Sequence, residues 1–285
     1  MSTALGVVAA ALASGLYNVG LLLQADASRR ETVGAAFSPG LLGRLVLRRR
    51  WLAGLGTGLA GWPLQAFALS RAPLTVVQPM LGVGLVVPLI FGARVLGDHV
   101  RRRDVLDVAA LVVGVSLLVA VAPPRKLETT IDTRLVVALA LVAALILAAM
   151  FLTLALPAKR GSLLIASAGL GFALSSMTTK LFADATSRHH WTLVVIWLAA
   201  TLLASVAALV GEMNALQIRS ASAVASLVFA LETVVPVALS PLLFGETGNA
   251  GAGSLTLRAC GIALAIAASV SLTRAPVVEH ALAEV

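Results

Sequence analysis

The apolar residues of this chain fall into nine blocks of about twenty positions, at 3–24, 51–70, 73–96, 104–122, 134–156, 162–182, 191–212, 221–244 and 254–273. Wound as helices, blocks of that length match the ~30 Å hydrocarbon layer of a bilayer. None shows the period-2 alternation of a membrane-spanning strand. Polar punctuation separates them, as in Ser70-Arg71-Ala72-Pro73, Ala122-Pro123-Pro124 and Pro157-Ala158-Lys159-Arg160-Gly161. Backbone polar groups in lipid must be satisfied within their own segment. The pattern therefore predicts an all-α polytopic transmembrane bundle of about nine spans.

One long connection, 25–50, interrupts this rhythm and ends in Arg48-Arg49-Arg50. Its Leu41-Leu42-Gly43-Arg44-Leu45-Val46-Leu47 stretch is too short to span and reads as an interfacial amphipathic helix. The basic cluster reads as a topology anchor. If residues 36–47 crossed as a tenth span, only the N-terminus would change sides.

Composition agrees with a bilayer as the solvent. Hydrophobic residues make up 59% of 285 positions and charged residues 12%, with a mean hydropathy of +0.99. An aqueous core cannot hide that much apolar surface behind so little polar covering. A net charge of +8 would point to nucleic acid in a soluble protein, but here the basic residues sit between apolar blocks, so no nucleic-acid partner is expected. They set orientation instead. The loops at 29–30, 44–50, 101–103, 159–160, 219 and 274 hold most of the Lys and Arg. That excess predicts a multi-pass protein of the cell (inner/plasma) membrane, with its N-terminus outside and its C-terminus cytoplasmic. The first block lacks a basic n-region, so no cleavable signal is expected. Cys260, the only cysteine, offers neither an intrachain disulfide nor a Cys-based zinc site.

The chain also repeats itself. Residues 71–98 align without a gap to 219–246. Arg71, Val76, Val86, Val87, Pro88 and Gly97 recur as Arg219, Val224, Val234, Val235, Pro236 and Gly245, and Asp98 meets Glu246. Upstream, Gly15 to Gln24 parallels Gly171 to Lys180 more weakly. The division this suggests is a first four-span repeat at 1–122, a linking helix with its loops at 123–160, a second repeat at 161–274 and a tail at 275–285. Five spans separate corresponding points, so the repeats would face opposite ways across the bilayer. Inverted repeats characterise many secondary transporters, whose solute site lies near the midplane between them.

On these residues the chain resembles the drug/metabolite transporter superfamily. Its Gly97-Asp98 and Gly245-Glu246 exits resemble the Gly-Glu that ends the equivalent helix in EamA-type transporters, and the four-span unit is similar to one subunit of the small multidrug resistance family. The run Ala72-Pro73-Leu74-Thr75-Val76-Val77-Gln78-Pro79, then Asp98, Gly114 and Ala122-Pro123, resembles the order seen in the NIPA-like magnesium transporter branch. Two departures stand out. Gly61-Trp62 lacks the acid that follows the glycine in the magnesium transporters. Gly15-Leu16-Tyr17-Asn18-Val19 lacks the first-span carboxylate of the small multidrug resistance proteins.

Ionisable groups inside a bilayer are costly, so each is a candidate for function. Glu232 leads, set mid-span in Leu231-Glu232-Thr233-Val234-Val235-Pro236; the resemblance adds that Leu-Glu before a helix-breaking proline is common in EamA-type chains. It suits proton exchange or cation binding. The competing reading is a structural carboxylate paired with Lys180 or bonded across helices. Lys180 ends the sixth block and reads as snorkelling to the outer interface, with a cavity role as the alternative. Ser176 lies one turn before it. Glu212 and Asn214, near the end of the seventh block, read as solvated at the interface. Asn18, Gln65 and Gln78 either bond a neighbouring helix or line a wet cavity, and Trp62-Pro63 interrupts the second span's hydrogen-bond ladder. Pro88, Pro236, Gly97 and Gly245 read as hinge or packing positions of the repeats. His189-His190 is a poor metal-ligand set.

The sequence thus predicts a non-enzymatic secondary transporter that moves a small organic solute or cation by alternating access. Its expected cavity holds Glu232, Asn18, Gln65, Trp62, Ser176 and Gln78, with Lys180 near the rim. No catalytic residue, metal site or cofactor is expected. The partners are the lipid bilayer and a small-molecule or cation substrate, and a homodimer is compatible with the sequence. A magnesium-type divalent-cation carrier and a non-transporting scaffold or regulatory subunit remain as alternatives; the scaffold predicts no polar cavity at mid-membrane depth.

Overall fold

The computed structural model describes residues 2–29, 40–87, 101–121, 131–218, 221–246 and 252–273. Pro88, Gly97, Asp98, Arg219 and the tail at 275–285 lie outside the described residues. Among the described residues ten α-helices follow one another: α1 (Ser2–Arg29), α2 (Gly40–Leu45), α3 (Arg49–Arg71), α4 (Leu74–Leu81), α5 (Arg102–Ala120), α6 (Thr133–Ala155), α7 (Arg160–Ser187), α8 (Trp191–Leu216), α9 (Ala221–Leu243) and α10 (Ala252–Thr273). Each of the nine apolar blocks is helical where it is described. Thr3–Gln24, Thr133–Ala155, Pro157–Ser187 and Trp191–Leu216 are long and apolar enough to cross a membrane, and Leu74–Gly84, Leu227–Leu243 and Gly253–Ala268 are shorter apolar helices. The chain is a polytopic, multi-pass helical membrane protein. Helix α2, with six residues, rises only about 9 Å. It is far too short to cross, and its Leu45 is fully buried.

Two elements depart from the pattern read in the sequence. The third block, expected as one helix, tightens to 3₁₀ geometry over Gly82–Leu85. The cause is a hydroxyl from α1: buried Ser14 Oγ donates to the Leu81 carbonyl and accepts the Gly84 N–H at 2.8 Å. A Cβ on Gly84 would collide with Ser14 Oγ and with the Ser14 carbonyl, so only glycine fits there. Helix α7 runs five residues beyond the predicted end of its block, to Ser187. Lys180, which reads in the sequence as the end of its span, pairs with Asp184 inside the bundle instead.

Small residues bring the helices together, as is usual where lipid offers no hydrophobic drive for association. Helix α1 packs on α3, and Gly20 and Gly54 approach so closely that a Cβ on either would lie 2.8 or 2.6 Å from the other's carbonyl oxygen. Helix α7 packs on α8 in the same manner, through Gly171 against Ala208 and a 2.8 Å hydrogen bond between Ser175 and Ser205. Helices α5 and α10 pair antiparallel: Gly114 meets Gly261, and Ser271 Oγ donates to Asp107 at 2.6 Å. Helix α4 lies against α1 and α9, and α6 rests on α7.

The buried apolar core splits in two. One cluster gathers Leu22, Trp51, Leu164, Met213, Leu216 and Val228, from the end of the bundle where α3, α7 and α9 begin. The other gathers Leu69, Leu74, Val77, Met177, Leu181 and Phe244, from the opposite end. What lies between them is the candidate site.

Candidate functional site

A cavity of about 290 Å³ occupies the middle of the bundle, walled by α1, α3, the last residue of α4, α7, α8 and α9. Glu232 is the central residue of α9, so the cavity sits at mid-span. Each wall contributes a helical stripe: Leu55, Gly58, Leu59, Trp62 and Gln65 from α3, and Thr201, Ser205, Leu209 and Glu212 from α8. Side chains three or four apart on a helix share one face, so the periodicity of these helices aims the polar groups inward together.

Among the residues expected from sequence, Glu232, Asn18, Gln65, Trp62 and Ser176 line this one cavity. A hydrogen-bonded chain crosses its wall. Tyr17 Oη donates to Gln65 Oε1 at 2.5 Å, and Gln65 Nε2 donates to Ser176 Oγ at 3.4 Å, so α1, α3 and α7 are tied in register. Asn18 Nδ2 donates to the Ser14 carbonyl at 3.0 Å. Trp62 Nε1 donates to Thr179 Oγ1 at 3.1 Å, and its ring lies tilted over Phe182 at 5.1 Å, which fixes the indole as one wall.

Two expected residues are elsewhere. Lys180 does not snorkel and does not line the cavity. Its side chain is 1% exposed, 3.6 Å from Asp184 Oδ2 and 3.7 Å from Glu246 Oε1. The reason is that α7 continues for two further turns, leaving Lys180 well inside its helix, and the buried Glu246 supplies the counter-charge. Nor does Lys180 pair with Glu232. Gln78 is also fully buried outside the cavity lining, and neither end of its amide has a partner among the described residues. At the repeat positions, Pro236 lies inside α9, and Gly245 ends it with φ 62°, a left-handed conformation that glycine adopts without steric cost. That turn carries Glu246 back onto the start of α4, where it accepts the Leu74 and Thr75 amides at 2.8 and 3.1 Å.

Sequence reasoning missed Glu212. It is 8% exposed and faces the cavity rather than an aqueous interface, and Asn214 is fully buried, with Nδ2 donating to the Val210 carbonyl at 2.8 Å. Tyr17, Thr201 and Ser205 were missed too. For Thr201, Ser205 and Glu212 the signal is their spacing on a mostly apolar helix, which places all three on one face. Among the described residues no Lys, Arg or His lines the cavity, and neither Glu232 nor Glu212 has an ion-pair partner. Two carboxylates in a largely apolar, aromatic-walled space form a site that attracts positive charge.

Comparison with known proteins returns short similarities. The chain is 34% identical over 74 residues to an uncharacterized protein of Corynebacterium glutamicum, a match covering 26% of each chain. It is 34% identical over 76 residues to a probable 4-amino-4-deoxy-L-arabinose-phosphoundecaprenol flippase subunit ArnE of Aeromonas hydrophila, covering 25% of this chain and 64% of that one. The chain therefore spans about a quarter of the first relative and under two thirds of the second. No family model matches, and no solved structure matches. The flippase-subunit similarity and the apolar helices are compatible with a transporter-like membrane protein of the drug/metabolite transporter superfamily.

Proposed function

We propose that this protein is a secondary carrier of the drug/metabolite type, which moves a small organic cation by alternating access around the central cavity. The observation that carries the reading is Glu232, a carboxylate at the midpoint of α9, facing a largely apolar cavity without an ion-pair partner among the described residues. A carboxylate in such a place is expensive to keep and is retained where it binds or exchanges positive charge. A scaffold or regulatory subunit has no use for that expense.

The packing supports two inverted four-span halves joined by α6. Helix α1 on α3 has its counterpart in α7 on α8, while α4 meets α9 and α5 meets α10 as partners across a common centre. The antiparallel meeting of Gly114 with Gly261 is what a twofold axis in the membrane plane would produce. The basic loops support a cytoplasmic C-terminus in the cell membrane. In the cycle, the cation binds against Glu232 and Glu212, the halves rock, and the site faces the other side.

Binding is the direct test of the site. Titration of tetraethylammonium into the protein in lipid nanodiscs should show saturable binding, and Glu232→Gln should weaken it at least tenfold. Equal affinity in the two proteins would remove Glu232 from the site and the reading with it.

A further inference from the structure

Four buried polar atoms outside the cavity lining gather on two helices. Thr75 Oγ1, both ends of the Gln78 amide and Thr233 Oγ1 are buried without a hydrogen-bond partner among the described residues. They belong to the two helices that meet at Glu246: Thr75 and Gln78 to α4, Thr233 to α9. Glu246 fixes how these helices are aligned, because its carboxylate accepts both the Thr75 amide at 3.1 Å and the Ser240 hydroxyl at 2.5 Å. From that shared point α4 runs inward to Gln78, about 4.5 Å along its axis, and α9 runs back to Thr233, about 10.5 Å along its own. Glu232 is the next residue. The unpartnered groups thus step from Glu246 at one end of the bundle to the cavity carboxylate in its middle.

The backbone repeats the pattern. Pro79 lies inside α4 and Pro236 inside α9, and neither has an N–H to give the carbonyl four residues back. Those carbonyls belong to Thr75 and Glu232, the two ends of the same line. Broken ladders at membrane depth are tolerated where the backbone faces water or a cavity, and buried polar groups in native proteins are satisfied by protein or by water.

We propose that the seam between α4 and α9 is a second, closed water pathway to Glu232, running from the Lys180–Asp184–Glu246 cluster through Thr75, Gln78 and Thr233. It rests on the carrier reading and names that carrier's far-side route. Lys180 seals it: the ammonium, buried against Asp184, Glu246 and the Phe244 ring at 5.7 Å, holds α7 to the junction of α4 and α9. When the Lys180–Glu246 contact parts, water enters from that end and reaches the cavity carboxylate.

Thiol labelling in nanodiscs tests this without any solute. In a Cys260→Ala background, Gln78→Cys and Thr233→Cys should react slowly with a water-soluble trimethylammonium-ethyl methanethiosulfonate. Adding Glu246→Gln keeps an acceptor for the α4 amides but removes the charge facing Lys180, and it should speed both reactions at least tenfold. Val77→Cys, beside Gln78 but fully buried in the apolar core, should stay slow in both backgrounds. Acceleration of Val77→Cys to the same extent would mean the bundle has simply loosened, and indifference of Gln78→Cys and Thr233→Cys to Glu246→Gln would mean no sealed path exists; either result overturns the proposal. If labelling fails while tetraethylammonium binding still depends on Glu232, the seam falls and the carrier reading stands.

Discussion

Lys180 and Glu246 face each other at 3.7 Å inside the bundle, each side chain 1% exposed, although they lie on elements 66 positions apart in the chain. A buried pair of this kind is costly to make and more costly to break, because removing one partner strands the other charge. Lys180→Met should therefore lower stability by about 3–5 kcal/mol. Adding Glu246→Gln should restore part of the loss, since the stranded carboxylate is then gone. Thermal unfolding of the four proteins of this cycle in one detergent checks it. Additive losses would show that the two side chains do not act as a pair.

A second prediction concerns the hydroxyl wedge at the 3₁₀ turn. Ser14→Ala removes both hydrogen bonds of the wedge, to the Leu81 carbonyl and from the Gly84 N–H, and should cost about 1–3 kcal/mol. Gly84→Ala should cost at least as much through collision with Ser14. Gly15→Ala, one residue away on the same helix but with open space around its Cβ position, should be neutral or stabilising by about 0.5–1 kcal/mol. A melting series on the three variants reads the order directly, and a Gly84→Ala protein as stable as wild type would refute the wedge.

The hydrogen-bonded wall gives a third. Tyr17→Phe removes the 2.5 Å bond to Gln65 without changing the ring's bulk. A lost net hydrogen bond of about 1 kcal/mol corresponds to roughly a fivefold weakening of tetraethylammonium binding if the wall shapes the site. Isothermal titration provides the number, and an unchanged affinity would assign the Tyr17–Gln65 bond to stability alone.

What the sequence made legible follows from scale. Apolar blocks of spanning length and the polar or aromatic residues inside them, Asn18, Gln65, Trp62, Ser176 and Glu232, can be read from composition and position, and these five converge on one cavity. Residues near the ends of blocks were misread. Lys180 and Glu212 look interfacial when a span is cut at its first charge, yet α7 and α8 run 28 and 26 residues, longer than the bilayer needs. The charges then sit a turn or more inside, where partners from distant parts of the chain decide their state. The Ser14 wedge was illegible for the same reason: the hydroxyl and the turn it tightens lie on different helices, and no local pattern links them.

The central claim is that Glu232 serves transport, and flux measures it most directly. In proteoliposomes, wild-type protein should carry tetraethylammonium down an imposed gradient with saturable kinetics. Glu232→Gln, reconstituted at the same density, should reduce the initial rate at least tenfold. Equal flux through both proteins, or none above empty liposomes for the wild type, would contradict the account.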